Sequence, residues 1–238
     1  MTKVARPVAL VTGAAHRVGA AVALELAAAG FDLVLTCHTR SAELEITAQA
    51  ARDAAAASGG ACSVELHRVD FADVAAVGAF AAELAGRDRC DALIHNASVY
   101  EPSPLGSITD DELVRQYRVN AVAPLLLTQA AGELLRRSTL VGGGAVVCFS
   151  DIHVLGRPRL RFAAYSMSKA ALTQMVEGLA RELAPQVRVN AIAPGVVAWP
   201  DDTPAAERER YELRIPVSYT HLRAHETKAN LVCRLLLE

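Results

Sequence analysis

Short apolar runs typical of strands alternate with Ala- and Leu-rich stretches typical of helices along most of this chain. Six runs have strand character: Val8–Thr12, Asp32–Cys37, Ser63–Arg68, Asp91–His95, Ala145–Phe149 and Val187–Ala191. Five stretches have helical character: Val18–Ala29, Ser41–Ala57, Val74–Leu84, Asp110–Arg137 and Phe162–Ala184. Several strand runs are apolar on both faces, as in strands that helices cover on each side. The pattern therefore predicts an α/β fold with right-handed βαβ units and a doubly wound parallel sheet.

Length and composition restrict the class of protein further. The chain has 238 residues, enough for one large domain with its own core. No apolar run reaches the roughly 18 residues of a membrane-spanning helix, and residues 1–7 lack signal-peptide character. The formal net charge is −2 and no basic block stands out, so we expect neither a nucleic-acid nor a membrane partner. These features predict a cytoplasmic protein.

The cysteines and histidines do not indicate a metal site. There are five cysteines, an odd number, and none forms a C-x-x-C pair. Cys37, Cys62 and Cys148 lie in or beside strand-like runs, so we interpret them as reduced, mostly buried thiols. Four histidines lie near predicted strand ends, but their spacing matches no metal pattern: His16, His38, His95 and His153.

The first strand leads into a glycine turn that opens the first helix. Gly13 and Gly19 in this turn would let the backbone approach a pyrophosphate, and the helix N-terminus supplies free N–H groups and a positive dipole end. A strand followed by a glycine turn and a helix can also be ordinary turn chemistry. Its position as the first βα turn favours a dinucleotide site.

The residues after the second strand bear on which dinucleotide binds. His38, Thr39, Arg40 and Ser41 stand where this fold reaches the adenosine ribose, and an acidic residue there would select NAD. A guanidinium and a hydroxyl suit a 2′-phosphate instead, which favours NADPH. The alternative is that Ser41 caps the next helix and Arg40 is a solvated loop charge.

Polar residues also follow the third and fourth strands. Asp70 is placed to accept a hydrogen bond from the adenine amino group; alternatively it caps the helix from Val74, for which Asp73 is the better candidate. After the fourth strand, small residues at Ala97 and Ser98 would let the chain pass close to the cofactor.

Tyr165 and Lys169 are four residues apart near the start of a predicted helix, so they share one face. A tyrosine pKa near 10 is too high for efficient proton transfer at neutral pH. A nearby ammonium favours the phenolate, and we expect Lys169 to tune Tyr165 in this way for transfer of a proton to the reduced substrate. The pair alone is common by chance and could be an exposed helix pair; the surrounding run 165–172 is more specific.

In this order the motifs resemble the short-chain dehydrogenase/reductase family, from about Val8 to Pro216. The resemblance rests on the glycine turn, Asp70, Asn96–Ala97, Asn120, Tyr165, Lys169 and the run Arg188–Gly195. It implies a Rossmann-type domain over residues 1–216, with Tyr165 as acid/base, Lys169 bound to the nicotinamide ribose and Asn120 supporting a water-linked proton relay. Without the family, Asn120 is a polar interruption of a long helix. The expected cofactor-binding set is Gly13, His16, Arg17, Val18, Gly19, His38, Thr39, Arg40, Ser41, Asp70, Phe71, Asn96, Ala97, Ser98, Lys169, Pro194 and Gly195.

Three departures from the usual family pattern, together with the stretch Thr39–Ser41, make the chain similar to the pteridine and dihydromonapterin reductases. Arg17 replaces a glycine of the phosphate turn, Ser98 replaces a glycine after Asn96–Ala97, and Asp151 stands where most members carry a catalytic serine. The resemblance implies that Arg17 reaches cofactor phosphate and pterin, that Asp151 assists protonation of the pterin, and that Tyr100 stacks on it. The implied substrate-binding residues are Arg17, Ser98, Tyr100, Asp151 and Tyr165.

The sequence thus predicts an oxidoreductase in which NADPH delivers hydride to a C=N carbon of a dihydropterin. Tyr165, with Asp151, would protonate the ring nitrogen. Alternatively Ser150 is the catalytic hydroxyl and Asp151 caps a loop. Two further functions remain open: a carbonyl reductase acting on a 3-oxoacyl thioester, a sugar or another ketone, and a non-catalytic NADPH-binding sensor. The intact Tyr165, Lys169 and Asn120 argue against the sensor.

The family pattern stops at about Val217. Residues 217–238 resemble translated sequencing-adapter read-through, so we expect a non-native tail and a domain truncated at its last helix and strand. Val196–Arg214 remains family-like and is expected to cover the substrate as a lid. The resemblance implies a homotetrameric parent enzyme, in which the missing helix and strand would form much of the subunit interface.

Overall fold

The computed structural model describes residues 6–154, 159–195, 197, 204–206 and 209. Its strands are β1 Val8–Val11, β2 Asp32–Cys37, β3 Val64–Arg68, β4 Ala92–His95, β5 Gly144–Phe149 and β6 Val187–Ile192. All pairings are parallel, in the order β3-β2-β1-β4-β5-β6. The predicted parallel sheet is confirmed, and each strand bound is within one residue of its expectation. The expected tail and most of the expected lid lie outside the described residues.

In the described part of the chain, the helices that flank the sheet are α1 Arg17–Ala28, α2 Ser41–Ala57, α3 Val74–Ala85, α4 Asp110–Tyr117, α5 Ala123–Arg136 and α6 Ala163–Glu182. The single long helix predicted for Asp110–Arg137 is wrong in one respect. A π-helical turn at Arg118–Val122 separates α4 from α5, and Asn120 lies at its centre. Such turns recur at functional sites because they displace backbone groups from the regular helical ladder.

Two apolar layers bury the faces of the sheet. Side chains alternate along β1, so Ala9 and Val11 pack toward α1 and α2, whereas Leu10 packs toward α3, α5 and α6. The middle strands β4 and β5 are buried along their whole length, as expected from their largely apolar sequences. The polar exception is His95 at the end of β4, which pairs with the Thr128 hydroxyl at 2.9 Å. Burial of one such leucine side chain contributes roughly 1.5–3 kcal/mol.

The order of the strands places a crevice between β1 and β4. The chain runs outward on one side through β2 and β3 and on the other through β4, β5 and β6, so the carboxyl ends of β1 and β4 diverge there. The Thr12 hydroxyl oxygen accepts hydrogen bonds from the backbone N–H groups of Asn96 (3.0 Å) and Ala97 (3.1 Å). This contact locks the loop after β4 against the loop after β1.

Within the part of the chain that the structure describes, no helix has both the length and the apolar character needed to cross a lipid bilayer.

Candidate active site

The glycine turn after β1 lies so close to the loop after β4 that side chains cannot enter. Gly13 has φ +65°, and a Cβ on it would lie 2.8 Å from the Ala97 Cα. A Cβ on Gly19 would collide with the Gly13 carbonyl oxygen. The Asn96 side-chain amide donates to that same oxygen (2.9 Å) and so holds the turn in place. The turn therefore offers a flat backbone surface to a ligand, as a pyrophosphate requires.

The start of α1 completes this anion-binding surface. His16 occupies the N-cap position, but its side chain makes no capping hydrogen bond to the first turn of the helix. The N–H groups of that turn are thus available to an anion. Arg17 has φ +54°, a left-handed conformation that costs a non-glycine residue about 1–2 kcal/mol. Strain of this kind is concentrated at functional sites.

A cleft of about 330 Å³ opens at this edge of the sheet. Thirteen of the expected cofactor-binding residues line it: Gly13, His16, Arg17, Val18, Gly19, His38, Thr39, Arg40, Asp70, Phe71, Asn96, Ala97 and Ser98. Ser41, Lys169, Pro194 and Gly195 are not part of its lining. Cys37 and Val119 also line it, although neither was among the expected cofactor-binding residues. Two sequence signals could have found them: Cys37 ends a strand, and Val119 directly precedes Asn120.

Basic residues surround the adenosine end of the cleft. Burial, and then the positive charges of Arg40 and Arg17, lower the pKa of His16. Arg40 is exposed and contacts Glu43 at 3.3 Å. The alternative role of Ser41 as a helix cap is wrong, because Arg40 occupies the cap position without a side-chain cap and Ser41 is the first residue of α2.

Asp70 and Asp73 have different contacts. One Asp70 carboxylate oxygen accepts from the Ala72 N–H (2.9 Å), and the other lies 3.4 Å from His38 Nε2. Asp73 caps α3, since its carboxylate accepts from the Ala75 N–H at 2.8 Å. The sequence prediction that Asp73 is the better cap is confirmed, and Asp70 remains in the cleft lining.

Tyr165 near the start of α6 contacts the residue that follows β5. Its hydroxyl donates to the Asp151 carboxylate at 2.8 Å, while the other carboxylate oxygen of Asp151 accepts from the His153 N–H at 2.7 Å. The Ser150 hydroxyl is buried and pairs with the Thr173 hydroxyl at 2.6 Å. The structure therefore brings Asp151, and not Ser150, to Tyr165.

Lys169 lies below this pair, one turn further along α6. Its ammonium donates to the Phe149 carbonyl oxygen at 2.7 Å and stands 5.9 Å from the centroid of the Tyr165 ring. Because the side chain is buried, the pKa of Lys169 falls to about 8.

The expected tuning of Tyr165 toward the phenolate is wrong for this arrangement. Burial raises the pKa of Tyr165, and the negative charge of Asp151 and the hydrogen bond to it raise the pKa further. The physical reason is that a carboxylate, rather than the Lys169 ammonium, is the direct partner of the hydroxyl. Tyr165 is thus a protonated donor.

The Asn120 side chain ties three segments together. Its carbonyl oxygen accepts from the Ser98 hydroxyl (3.0 Å) and the Val99 N–H (2.9 Å). Its amide nitrogen donates to the Val99 carbonyl and the Ser168 hydroxyl, each at 2.9 Å. These four bonds use the full capacity of the side chain, so it positions the segment before Tyr100 against α6. The relay role implied by the family resemblance stays a prediction.

Aromatic rings form a wall beside the Tyr165 hydroxyl. Tyr100 is 44% exposed, stacks on Phe162 with centroids 4.7 Å apart and meets the edge of Tyr165 at 4.7 Å. The guanidinium of Arg159 lies 5.4 Å from the Tyr100 centroid and 4.8 Å from that of Phe162. The sequence singled out Tyr100 alone, because nothing in the spacing shows which residues of 159–162 approach it.

Ser103 joins this wall to the helix that carries Tyr165. The Ser103 N–H donates to the Arg161 carbonyl at 2.5 Å, and its hydroxyl oxygen accepts from the Ala164 N–H at 3.0 Å. The Ser103 hydroxyl thus caps α6 from a distant loop, since Phe162 at the cap position provides no side-chain cap. Sequence reasoning missed this residue, because it is a lone serine between two prolines.

One group away from these contacts has the composition of a metal site. Ligand atoms of Glu65, His67 and Glu83 lie within 4.8 Å of one another. Arg87 donates to both Glu65 oxygens and is the main cause that lowers the pKa of that carboxyl to about 2. The group is accounted for as an ion-pair network, and the expected lack of a metal stays a prediction.

Comparison with known proteins shows which family the chain matches and which proteins it resembles. The pattern of the short chain dehydrogenase family matches residues 7–210. A pteridine reductase 1 from Leishmania tarentolae is 30% identical, covering 92% of this chain and 86% of its own length. A dihydromonapterin reductase from Enterobacter sp. is 31% identical, covering 86% and 80%. The crystal structure of a metagenomic short-chain oxidoreductase in complex with NADP has a TM-score of 0.69 and 34% identity, covering 80% of this chain and 83% of that chain.

Proposed function

The chain belongs to the short chain dehydrogenase family, and from that premise we propose that it reduces a dihydropterin with NADPH. The observation that carries the proposal is the 2.8 Å hydrogen bond from Tyr165 to Asp151. Asp151 stands where the family resemblance implies a serine, and a carboxylate beside the proton donor can also accept a hydrogen bond from a ring N–H, which a plain ketone does not have. The two curated relatives named above, both pterin reductases by name, add support.

The residues of the cleft fit NADPH. The turn from Gly13 to Gly19 and the first-turn N–H groups of α1 would hold the pyrophosphate. Arg40 would turn from Glu43 to the 2′-phosphate, because a phosphate with nearly two charges attracts a guanidinium more strongly than one exposed carboxylate does. The cofactor, when bound, supplies the hydride.

The protein supplies the proton and the orientation of the ring. Tyr165 transfers its hydroxyl proton to the ring nitrogen as the adjacent carbon is reduced, and its raised pKa keeps that proton in place beforehand. Asp151 accepts the hydroxyl hydrogen bond and fixes its direction. Loss of this proton leaves a phenolate beside the Asp151 carboxylate, so Tyr165 takes up one proton from water in each cycle.

Tyr100 would hold the flat substrate in reach of this proton. Its half-exposed ring stands at a right angle to Tyr165, with centroids 4.7 Å apart. An aromatic face in this position suits a planar heterocycle, because stacked rings gain about 0.5–1.5 kcal/mol beyond burial of their surface.

The proposal is tested by following NADPH oxidation by the purified full chain with dihydrobiopterin, dihydromonapterin, dihydrofolate and a panel of ketones. We expect kcat/KM for at least one dihydropterin to exceed that of every ketone by about tenfold or more. A preference for a ketone would establish the carbonyl reductase instead. Binding of NADPH without turnover of either class would indicate a sensor.

A further inference from the structure

Arg159 is the cationic member of the aromatic wall beside the reacting hydroxyl. Its guanidinium lies within 5.4 Å of the centroids of both Tyr100 and Phe162. Burial and Asp151 raise the pKa of Tyr165, and the charge of Arg159 acts in the opposite direction. The cation is therefore close enough to Tyr165 for any molecule that reaches the hydroxyl to feel it.

The acidic side chains near Arg159 that the structure describes have other partners. Glu101, on the loop that carries Tyr100, is ion-paired with Arg115. Asp151 is engaged by Tyr165 and by the His153 N–H. Among residues 6–154, 159–195 and the few later ones that the structure describes, no carboxylate lies within ion-pair distance of Arg159.

The contacts of Arg159 with the aromatic rings leave its N–H donors accessible to a ligand. A cation–π contact uses the face of the guanidinium, whereas its five N–H donors point outward in the plane. The side chain is exposed, and so is much of Tyr100 beside it. A planar group stacked on Tyr100 would extend its substituent toward this outer end of the wall, where a carboxylate could accept two parallel hydrogen bonds.

We infer that Arg159 is a specificity residue that selects dihydropterins whose substituent carries a carboxylate. The inference rests on the proposed function, since it concerns the substrate of the same site. If Arg159 has this role, a dihydropterin with an anionic substituent is a better substrate than one with a neutral substituent. The transferred proton comes from Tyr165, and the charge of Arg159 acts on that group in the same way for every substrate.

The test uses the full chain with NADPH and two matched probes, dihydrofolate and dihydrofolate with both carboxylates converted to amides. Dihydrobiopterin is a third, neutral substrate. The variants are Arg159→Gln, Arg159→Lys and the control Arg161→Gln, which removes the same charge two residues away in the same exposed loop. Thermal unfolding and NADPH affinity of each variant are measured in parallel.

We expect the parent chain to favour dihydrofolate over its diamide by roughly three- to tenfold in kcat/KM, the range for a charged pair that water partly screens. Arg159→Gln should abolish this preference, whereas any effect of the lost charge on Tyr165 should change kcat/KM for dihydrofolate, its diamide and dihydrobiopterin by the same factor. Arg159→Lys should keep part of it, Arg161→Gln should keep all of it, and added salt should reduce it.

Equal preference in the parent chain and in Arg159→Gln overturns the inference and leaves the proposed function standing. The same holds if Arg161→Gln abolishes the preference equally, because the effect would then be one of net charge. Failure of every variant to turn over any dihydropterin, while NADPH still binds, overturns the proposed function and this inference with it.

Discussion

The effect of burial on ionisable groups is offset by hydrogen bonds at one end of the sheet and not at the other. At the amino end, the carboxylate of Asp91, just before β4, is fully buried and accepts hydrogen bonds from the Val8 N–H (2.8 Å), the Ser138 hydroxyl (2.6 Å) and Arg89 Nε (2.5 Å). Burial alone would raise the pKa of Asp91, but these hydrogen bonds, that from Arg89 foremost, outweigh it and lower the pKa.

At the carboxyl end, burial is not offset. It raises the pKa of Tyr165 and lowers that of Lys169, in each case against the charged form. The comparison teaches that one sheet contains a polar group that stabilises the fold and polar groups that are held at a cost. Groups of the second kind are typical of functional sites.

The largest expected effect is on turnover at the carboxyl end. Tyr165→Phe removes the proposed proton donor and leaves the ring, so kcat for dihydropterin reduction should fall about 10³-fold. The free energy of unfolding should change by less than about 1 kcal/mol, because the lost hydrogen bond is one of modest net value. Steady-state kinetics and denaturant unfolding measure the two. Loss of stability without loss of turnover would contradict the assignment of Tyr165 to the reaction rather than to the stability of the fold.

The matching change at the amino end is Asp91→Ala. It leaves Arg89 and the Val8 N–H without their buried partner, so the free energy of unfolding should drop by about 3 kcal/mol. The kcat per folded molecule should stay unchanged. Asp88→Ala, at an exposed position nearby, is the control and should do neither. Because the pKa of Asp91 is lowered in the fold, the stability that it contributes is present above its unfolded pKa of about 3.9 and is lost as the pH falls through the folded value.

Asp151→Asn sharpens the account of the site. It keeps the shape but removes the charge beside Tyr165, so kcat should fall roughly tenfold or more. The pKa of Tyr165 should also move down, since the charge of Asp151 helps to raise it. Absorbance titration of the tyrosinate reports that shift. Ser150→Ala is the control, because its hydroxyl pairs with Thr173; a larger loss in Ser150→Ala than in Asp151→Asn would reverse the roles.

The pH dependence of the free energy of unfolding, compared between the parent chain and Lys169→Met, measures the cost of burying the Lys169 charge. The pKa of Lys169 is lowered to about 8 in the fold and is near 10.4 when unfolded. Between these values the unfolded chain binds more protons, so the parent chain should gain stability over the variant with rising pH, by at most about 1.4 kcal/mol per pH unit. Urea unfolding at several pH values measures the difference. A constant difference from pH 7 to 10 would show that the ammonium is not desolvated.

The smallest expected effect lies at the outer, solvated part of the cleft. Arg40→Ala should weaken NADPH binding about fivefold, the range for an exposed charged pair, with little change for NADH. Arg52→Ala, elsewhere on α2, is the control. Titration of both dinucleotides measures the effect, and equal losses for NADPH and NADH would remove the 2′-phosphate assignment.

The sequence predicted the sheet well because each strand carries its own signal. Buried parallel strands are continuous apolar runs, and in this chain helical patterns separate them, so the strand bounds follow from local information. The residues that line the cleft followed for the same reason, since they come directly after the strands.

What the sequence did not show depends on contacts between distant segments. The π turn around Asn120 exists where that side chain meets Val99 and Ser168, which no local pattern reveals. The Tyr100–Phe162 stack and the cap that Ser103 provides to α6 join segments about 60 residues apart. The predicted phenolate form of Tyr165 was wrong for the same reason. The spacing along the helix places Lys169 on the same face as Tyr165, but it does not show that the Lys169 ammonium binds the Phe149 carbonyl.

The most direct test of the central claim is a crystal structure of the chain with NADP⁺ and a dihydropterin. We expect the pterin ring against Tyr100, with one ring nitrogen about 3 Å from the Tyr165 hydroxyl oxygen and Asp151 still bonded to that hydroxyl. A ring bound away from Tyr165, or a Tyr165 hydroxyl turned from both the ring and Asp151, would contradict it.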